Sequence, residues 1–283
     1  MRSDDLDGRT IAAMYEASHP LHERLWDQEG HRSYHHGFYE DEDVDPDVAV
    51  ETMIRRLADE ATLAAGDRVV NLGSGVGEDS VWLARERGAT VVGVNIHDRQ
   101  LEAAREYARE AGVSDRVTFR FDDFHELETV DDDSTDVVWG LEALCHASDD
   151  GRVVETAARV LGDDGRIVFA DLFRRGGGSS GDRDRFEKLY DAWDVRYDPI
   201  DELVAALEDA GFRNVSVEDV TDAVEPSLEN AYRMSLYGYP YYRLLHFLGR
   251  VDDRVVGLSI GGYHCYKLVE SDAIGYYVVS AER

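Results

Sequence analysis

Glu142 and His146 stand four residues apart, an acid and a base that one helical turn would place on a common face. An imidazole titrates near pH ~6.5, so it can take a proton near neutrality from a group that must lose one, while the carboxylate orients the ligand. The alternative is a partly buried histidine satisfied by its neighbours. Residues 33–39 form a second candidate group, in which Tyr34, His35, His36, Phe38 and Tyr39 surround Gly37 without the charge of the neighbouring chain. They read either as a lid that sets His35, Tyr34 or the upstream Tyr15 beside a ligand, or as an aromatic packing loop. The third group is Asn71-Leu72-Gly73-Ser74-Gly75-Val76-Gly77, where an apolar run enters a cluster of glycines. Glycines there let the backbone turn sharply and approach a ligand closely, and the helix start beyond them carries unpaired N–H groups. A glycine-rich turn with no ligand is the competing reading. Asn95 closes the next apolar run, where a ribose-binding residue would sit, and offers an amide in place of a carboxylate.

These groups need a scaffold that gathers them, and the periodicity supplies one. Apolar runs at 69–72, 91–96, 117–121, 136–139 and 166–170 alternate with amphipathic segments at 47–63, 78–87, 98–111 and 151–161. Strands alternating with helices imply βαβ units and a parallel sheet. Right-handed crossovers put every strand's carboxyl end on one side, so Gly73 to Gly77, Asn95, Asp123, Glu142 and Asp171 should meet in a single cleft. An earlier amphipathic helix is expected over 11–27. Beyond Asp171 the pattern changes to a glycine/serine loop, helices at 182–193 and 201–210, and strands at 215–220 and 274–281. Residues 222–272, rich in tyrosine, then read as an inserted cap beside the cleft, with Tyr237 and Tyr241 as candidate substrate contacts. A helical outgrowth or homodimer surface is the other reading of that segment. Three parts follow: a lid segment at 1–46, a nucleotide-binding domain at 47–221 and 273–283, and the cap.

Composition limits the function. Sixty acidic against 30 basic residues leave a formal charge of −30, and Lys188 and Lys267 are the only lysines. Such a chain repels polyanions, so nucleic acid is not an expected partner. Carboxylates spread over periodic elements suit a folded surface in high salt, which points to a halophilic source. Cys145 and Cys265 are too few for a disulfide framework or a four-cysteine zinc site, and no metal is expected. No segment is apolar enough to span a membrane, and the first residues lack a signal-peptide core, so a cytoplasmic location is expected.

The order Asn71-Leu72-Gly73-Ser74-Gly75-Val76-Gly77, Gly93-Val94-Asn95-Ile96, Phe121-Asp122-Asp123-Phe124 and Leu141-Glu142-Ala143-Leu144-Cys145-His146-Ala147 resembles the class I S-adenosylmethionine-dependent methyltransferases. Within them it is similar to the branch that contains the tocopherol, sterol and sarcosine/dimethylglycine enzymes. His35-His36-Gly37-Phe38-Tyr39 is similar to that branch's lid motif. The resemblance implies an α/β, Rossmann-like sheet of seven strands, mostly parallel with an antiparallel last strand, helices on both faces and a helical cap. It implies S-adenosyl-L-methionine as cofactor. The methionine portion would lie over Gly73, Ser74, Gly75 and Gly77 beside Asn71 and Leu141. Ribose hydroxyls would meet Asn95, Ile96 and Gln100, and Asp123 and Phe124 would flank the adenine. The motif usually opens on an acid where this chain has Asn71. The implied activity is methylation of a small molecule, lipophilic and prenyl- or quinone-like, or a small amine. A non-catalytic binding protein on the same fold is the alternative. A nicotinamide-dependent oxidoreductase fits less well, because its fingerprint wants glycine where Glu78 stands and an acid in place of Asn95.

Overall fold

The computed structural model describes residues 32, 35–41 and 43–283. The helix expected over 11–27, with Tyr15, and the lid residue Tyr34 lie outside the described residues. Helix α1, Pro46–Glu60, opens with Pro46 in its first turn and Asp45 capping the Asp47 N–H. It lays Met53, Ile54 and Leu57 on the sheet.

Five strands then form in chain order: β1 Arg68–Leu72, β2 Thr90–Asn95, β3 Val117–Phe121, β4 Thr135–Leu141 and β5 Leu161–Arg174. Between them run α2, Glu78–Trp82, extended by a π turn at Leu83–Arg87, then α3, Asp98–Glu110, and α4, Asp150–Val160. Strands buried on both faces need continuous apolar runs, and Val137, Val138 and Trp139 in β4 have no solvent exposure. Gly140 completes that strand because a Cβ there would stand 2.7 Å from the Phe169 ring of β5.

After β5 come α5, Ser180–Trp193, α6, Ile200–Asp209, β6, Arg213–Asp219, a helical pair α7, Thr221–Phe247, and α8, Asp253–Glu270, and finally β7, Ile274–Glu282. The sheet order is β3-β2-β1-β4-β5-β7-β6. β7 runs antiparallel to both neighbours, with Arg166 opposite Glu282 and Asp219 opposite Tyr277. One face of the sheet packs on α1, α2 and α3 and, at its carboxyl end, on α5, α7 and α8. The other face packs on α4 and α6 through Val153, Val154, Leu203 and Leu207. This is the seven-stranded Rossmann-like architecture that the sequence implied.

Three boundaries differ from expectation. β5 begins at Leu161 because the glycine turn at 162–165 is absorbed into the strand, with a register shift against β4 between Thr135 and Val137. β4 continues to Leu141, two residues past its β-branched run. The helix after the glycine turn loosens into a π turn before Gly88 stops it at φ +71°.

Segment 221–272 is a helical hairpin that rises from the carboxyl edge of the sheet, since β6 ends there and β7 begins there. Its second helix is glycine-lined where it meets α5: a Cβ on Gly257 would stand 2.9 Å from the Ala192 carbonyl, and one on Gly261 would overlap the Trp193 indole.

Candidate active site

At the end of β1 the chain bends through Gly73, Gly75 and Gly77 at φ +61°, +51° and +89°, a region that residues with a Cβ enter at a cost. Gly77 is also sterically required, because a Cβ would meet Phe119 and Ala104 below 3.0 Å. Gly75 is different. A Cβ there would reach open space, with only the Gly73 carbonyl as near as 4.0 Å. The turn is therefore held from below and free above. Beside it the Ser74 hydroxyl is buried without a hydrogen-bond partner among the described residues. Open backbone next to an unsatisfied hydroxyl fits the methionine portion of S-adenosylmethionine.

Asn71 is fully buried and spends its amide N–H on Ser80 Oγ at 3.0 Å, tying β1 to the first turn of α2. Asn95 donates to Gln100 Oε1 at 2.9 Å and accepts from the His97 N–H at 3.2 Å. Asn95 and Gln100 are thus brought together at the end of β2, with Ile96 half-buried beside them. Asp123 accepts from His125 through the backbone N–H at 2.9 Å and Nδ1 at 2.6 Å. That histidine holds the Asp123 carboxyl below its usual range. His125 Nε2 in turn receives the Ser148 N–H at 3.1 Å, so one imidazole braces the β3 and β4 loops. Phe124 lies against the glycine turn, its ring 4.0 Å from where a Cβ on Gly73 would be.

Leu141 ends β4 in the core, and Glu142 follows at φ +50°. The common helical face expected for Glu142 and His146 does not form. Glu142 is a left-handed corner, and only a single 3-10 turn, Leu144–His146, carries the histidine. They are still electrostatic neighbours, since the Glu142 charge favours protonation of His146. Desolvation outweighs it and lowers the imidazole to about 4. His146 is accordingly neutral at physiological pH, with a lone pair able to accept a proton.

The lid is docked by four consecutive N–H groups. His36 donates to Glu142 Oε1 at 2.7 Å, Gly37 to Ser227 Oγ at 3.2 Å, Phe38 to the Ala49 carbonyl at 2.9 Å and Tyr39 to the Ala223 carbonyl at 2.8 Å. Gly37 allows it: a Cβ there would sit 2.7 Å from that of Ala49. His35 is buried with Nε2 3.6 Å from Asp79 Oδ1, and the other Asp79 oxygen accepts from the Trp139 indole at 3.2 Å. Burial pushes the Asp79 carboxyl above its usual range, and His35 and Trp139 oppose that.

Sequence reasoning missed Asp79, His125 and Tyr276. The Tyr276 hydroxyl donates to Glu142 Oε1 at 2.9 Å across 134 positions of sequence. Asp171 does reach the same region, where it accepts the Cys145 and Leu172 N–H groups, and burial raises it well above the carboxylate range. Tyr237 and Tyr241 lie 82% and 58% exposed on the outer half of α7. Tyr232, deeper in the hairpin, stacks on Tyr266 instead.

A Rossmann-like sheet with an open glycine turn, Asn95 and Gln100 paired at the end of β2 and Phe124 against the turn has the layout of a nucleoside-binding site. Residues 70–169 match the family model described as a methyltransferase domain. The chain is 32% identical over 275 residues to 27-O-demethylrifamycin SV methyltransferase of Amycolatopsis mediterranei, covering 96% of each chain. Among solved structures it is similar to the [4+2]-cyclase SpnF, with TM-score 0.79, 23% identity and coverage of 96% of this chain and 94% of that one. It is also similar to geranyl diphosphate C-methyltransferase of Streptomyces coelicolor A3(2), solved with S-adenosyl-L-homocysteine, with TM-score 0.73, 18% identity and coverage of 95% and 97%. The chain belongs to the S-adenosylmethionine-dependent methyltransferases. S-adenosylmethionine is its cofactor and a small molecule its methyl acceptor.

Proposed function

We propose that the acceptor is a hydroxyl on a sizeable lipophilic molecule, and that His146 takes up the proton this hydroxyl loses. The observation that carries this reading is a buried, neutral imidazole beside Glu142, in the loop whose Ala143 abuts Gly73 of the open glycine turn. S-adenosylmethionine supplies an electrophilic methyl on its sulfonium. The protein's task is alignment and exclusion of water. Gly73 to Gly77 cradle the methionine portion, Asn95 and Gln100 hold the ribose side, and Asp123 and Phe124 the adenine side. As the acceptor oxygen gains the methyl, its own proton becomes acidic enough for a base of low pKa, and His146 receives it. Glu142 favours the resulting imidazolium and, through the His36 N–H, keeps the lid shut over it. His35, buried against Asp79, fixes the inner edge of that lid.

A relative that covers nearly the whole chain and is named for an O-methylation supports oxygen over nitrogen as the acceptor atom. The hairpin of residues 222–272 acts as the cap, and Tyr237 and Tyr241 serve acceptors long enough to reach its outer half or a second copy of the chain. The −30 charge supports a cytoplasm of high salt and argues against nucleic acid as a partner. Two unpaired, buried cysteines support the same compartment.

The test is incubation with methyl-labelled S-adenosylmethionine and a panel of hydroxylated polyketide, prenylquinol and alkylamine acceptors in molar salt. Label retained on oxygen of a lipophilic product is expected. Label on nitrogen, or cofactor binding without any transfer, would contradict the proposal.

A further inference from the structure

A cavity lies where the loop after β4 and the start of α4 meet residues 196–206. Its volume is about 380 Å³, and Ser148, Asp149, Asp150, Arg196, Asp198 and Glu202 are among its lining residues. It shares no lining residue with the cofactor turn, the lid or His146. Two hydrogen bonds tie Arg196 to the loop after β4. The Arg196 N–H donates to the Cys145 carbonyl at 2.7 Å, and the Arg196 guanidinium to the Ser148 carbonyl at 2.8 Å.

The charges in this cavity do not balance. Arg196 is engaged by Asp198 through a fork of two bonds, each 2.7 Å, so its charge is already matched. Asp149 caps the Arg152 N–H at 3.1 Å. Glu202 stands exposed at the rim on α6. Asp150 is the anomaly. It is 92% buried, lines the cavity, and its carboxylate accepts no hydrogen bond from any described residue. A buried carboxylate without donors is costly, and native proteins almost always supply them. Asp150 lines the cavity, so the donors it takes come from whatever fills that cavity.

We propose that this cavity binds a small aliphatic amine in its protonated form, with one primary ammonium on Asp150 and the chain running toward Glu202. An ammonium brings both the positive charge and the N–H donors that Asp150 lacks. No group of three or more metal-ligating side chains occurs among the described residues, so a bare metal ion is not the occupant. Burial, together with Asp198, Asp149 and Glu202, raises Asp150 to about 7 against the opposing pull of Arg196. Amine binding at pH 7 therefore displaces a proton from a fraction of the molecules. Because the cavity shares no lining residue with the glycine turn, the lid or His146, its ligand is distinct from the methyl acceptor.

The test is isothermal calorimetry with 1,4-diaminobutane in 1 M KCl, where diffuse attraction to an acidic surface is screened. Saturable binding to the wild-type protein is expected, weakened at least tenfold by Asp150→Asn and several-fold by Glu202→Gln. Tetramethylammonium, which has the charge but no N–H donor, is expected to bind at least tenfold more weakly than the diamine. S-adenosylhomocysteine affinity, measured on the same samples, should not change and certifies that each variant is folded. Absence of saturable heat, equal affinity for both cations, or full affinity in a folded Asp150→Asn would overturn the proposal. Glu202 is exposed on its helix, so Glu202→Gln tests the site even if Asp150→Asn does not fold.

Discussion

The chemistry concentrates in a few side chains whose environments can be separated. Gly75 is the one turn position where an added Cβ would meet nothing nearer than 4.0 Å, which leaves the space above it open for the cofactor in the proposed arrangement. Gly75→Arg fills that space and strains a backbone at φ +51°. We expect S-adenosylmethionine affinity to drop by ~100-fold or more, equivalent to about 3 kcal/mol, with the circular dichroism spectrum preserved. His146 is held neutral by burial, so His146→Ala should lower kcat by roughly 10²- to 10⁴-fold, the range for loss of a proton acceptor. Cofactor affinity should stay within about twofold by calorimetry, since it rests on other groups. The pH dependence has a definite sign. In the proposed role the imidazole must be unprotonated, and burial lowers its value to about 4. The rate should then stay level from pH 8 to 5 and fall only as pH approaches 4, not near the ~6.5 of a free histidine. The same depressed value makes a stability contribution that is present above ~6.5 and lost as pH falls through 4.

At the scale of elements, the lid and the β4 corner work as one device. Four lid N–H groups dock on Glu142, Ser227, Ala49 and Ala223, which belong to the β4 corner, α7, α1 and α7 respectively. Gly37→Ala would force a Cβ to within 2.7 Å of Ala49 and push the lid off α1. Overpacking of this kind costs about 1–3 kcal/mol. We expect KM for the acceptor to rise by about tenfold with a smaller change in cofactor affinity, read from steady-state kinetics. Much of this layout could be read from residue types. The 117–121 strand, the glycine turn and the alternation of strand and helix follow from periods of 2 and 3.6 and from glycine's freedom. Spacing misled where the backbone left those periods: Glu142 at φ +50° broke the helical face expected with His146. The 162–165 turn, with two glycines and two aspartates, does stand unpaired, but pairing with β4 on both sides of it makes it a bulge within β5 and not the strand's start. Tyr276 was invisible because its bond to Glu142 spans 134 positions and local pattern holds no long-range register. Asp79 was hidden for the same reason, its partners His35 and Trp139 coming from two other elements.

The whole molecule carries twice as many acids as bases, and most of its ion pairs sit on the surface, such as Arg68–Asp136 and Arg152–Glu126. Exposed pairs of this type contribute little each, about 0–1 kcal/mol, so they do not offset the repulsion of a −30 charge. Screening does. Raising KCl from 0.1 to 2 M should therefore raise Tm by several degrees in scanning calorimetry, where an ordinary near-neutral protein would show little rise. A flat or falling Tm would remove the salt-adapted reading without touching the site. The proposed site spans the sheet from β3 to β5. Its decisive measurement is a crystal structure with S-adenosylhomocysteine. The account predicts the ligand across Gly73 to Gly77, its ribose at Asn95 and Gln100 and its adenine beside Asp123 and Phe124, with the sulfur directed toward His146 under the lid. A ligand bound elsewhere, or a turn closed by the protein's own atoms, would contradict it.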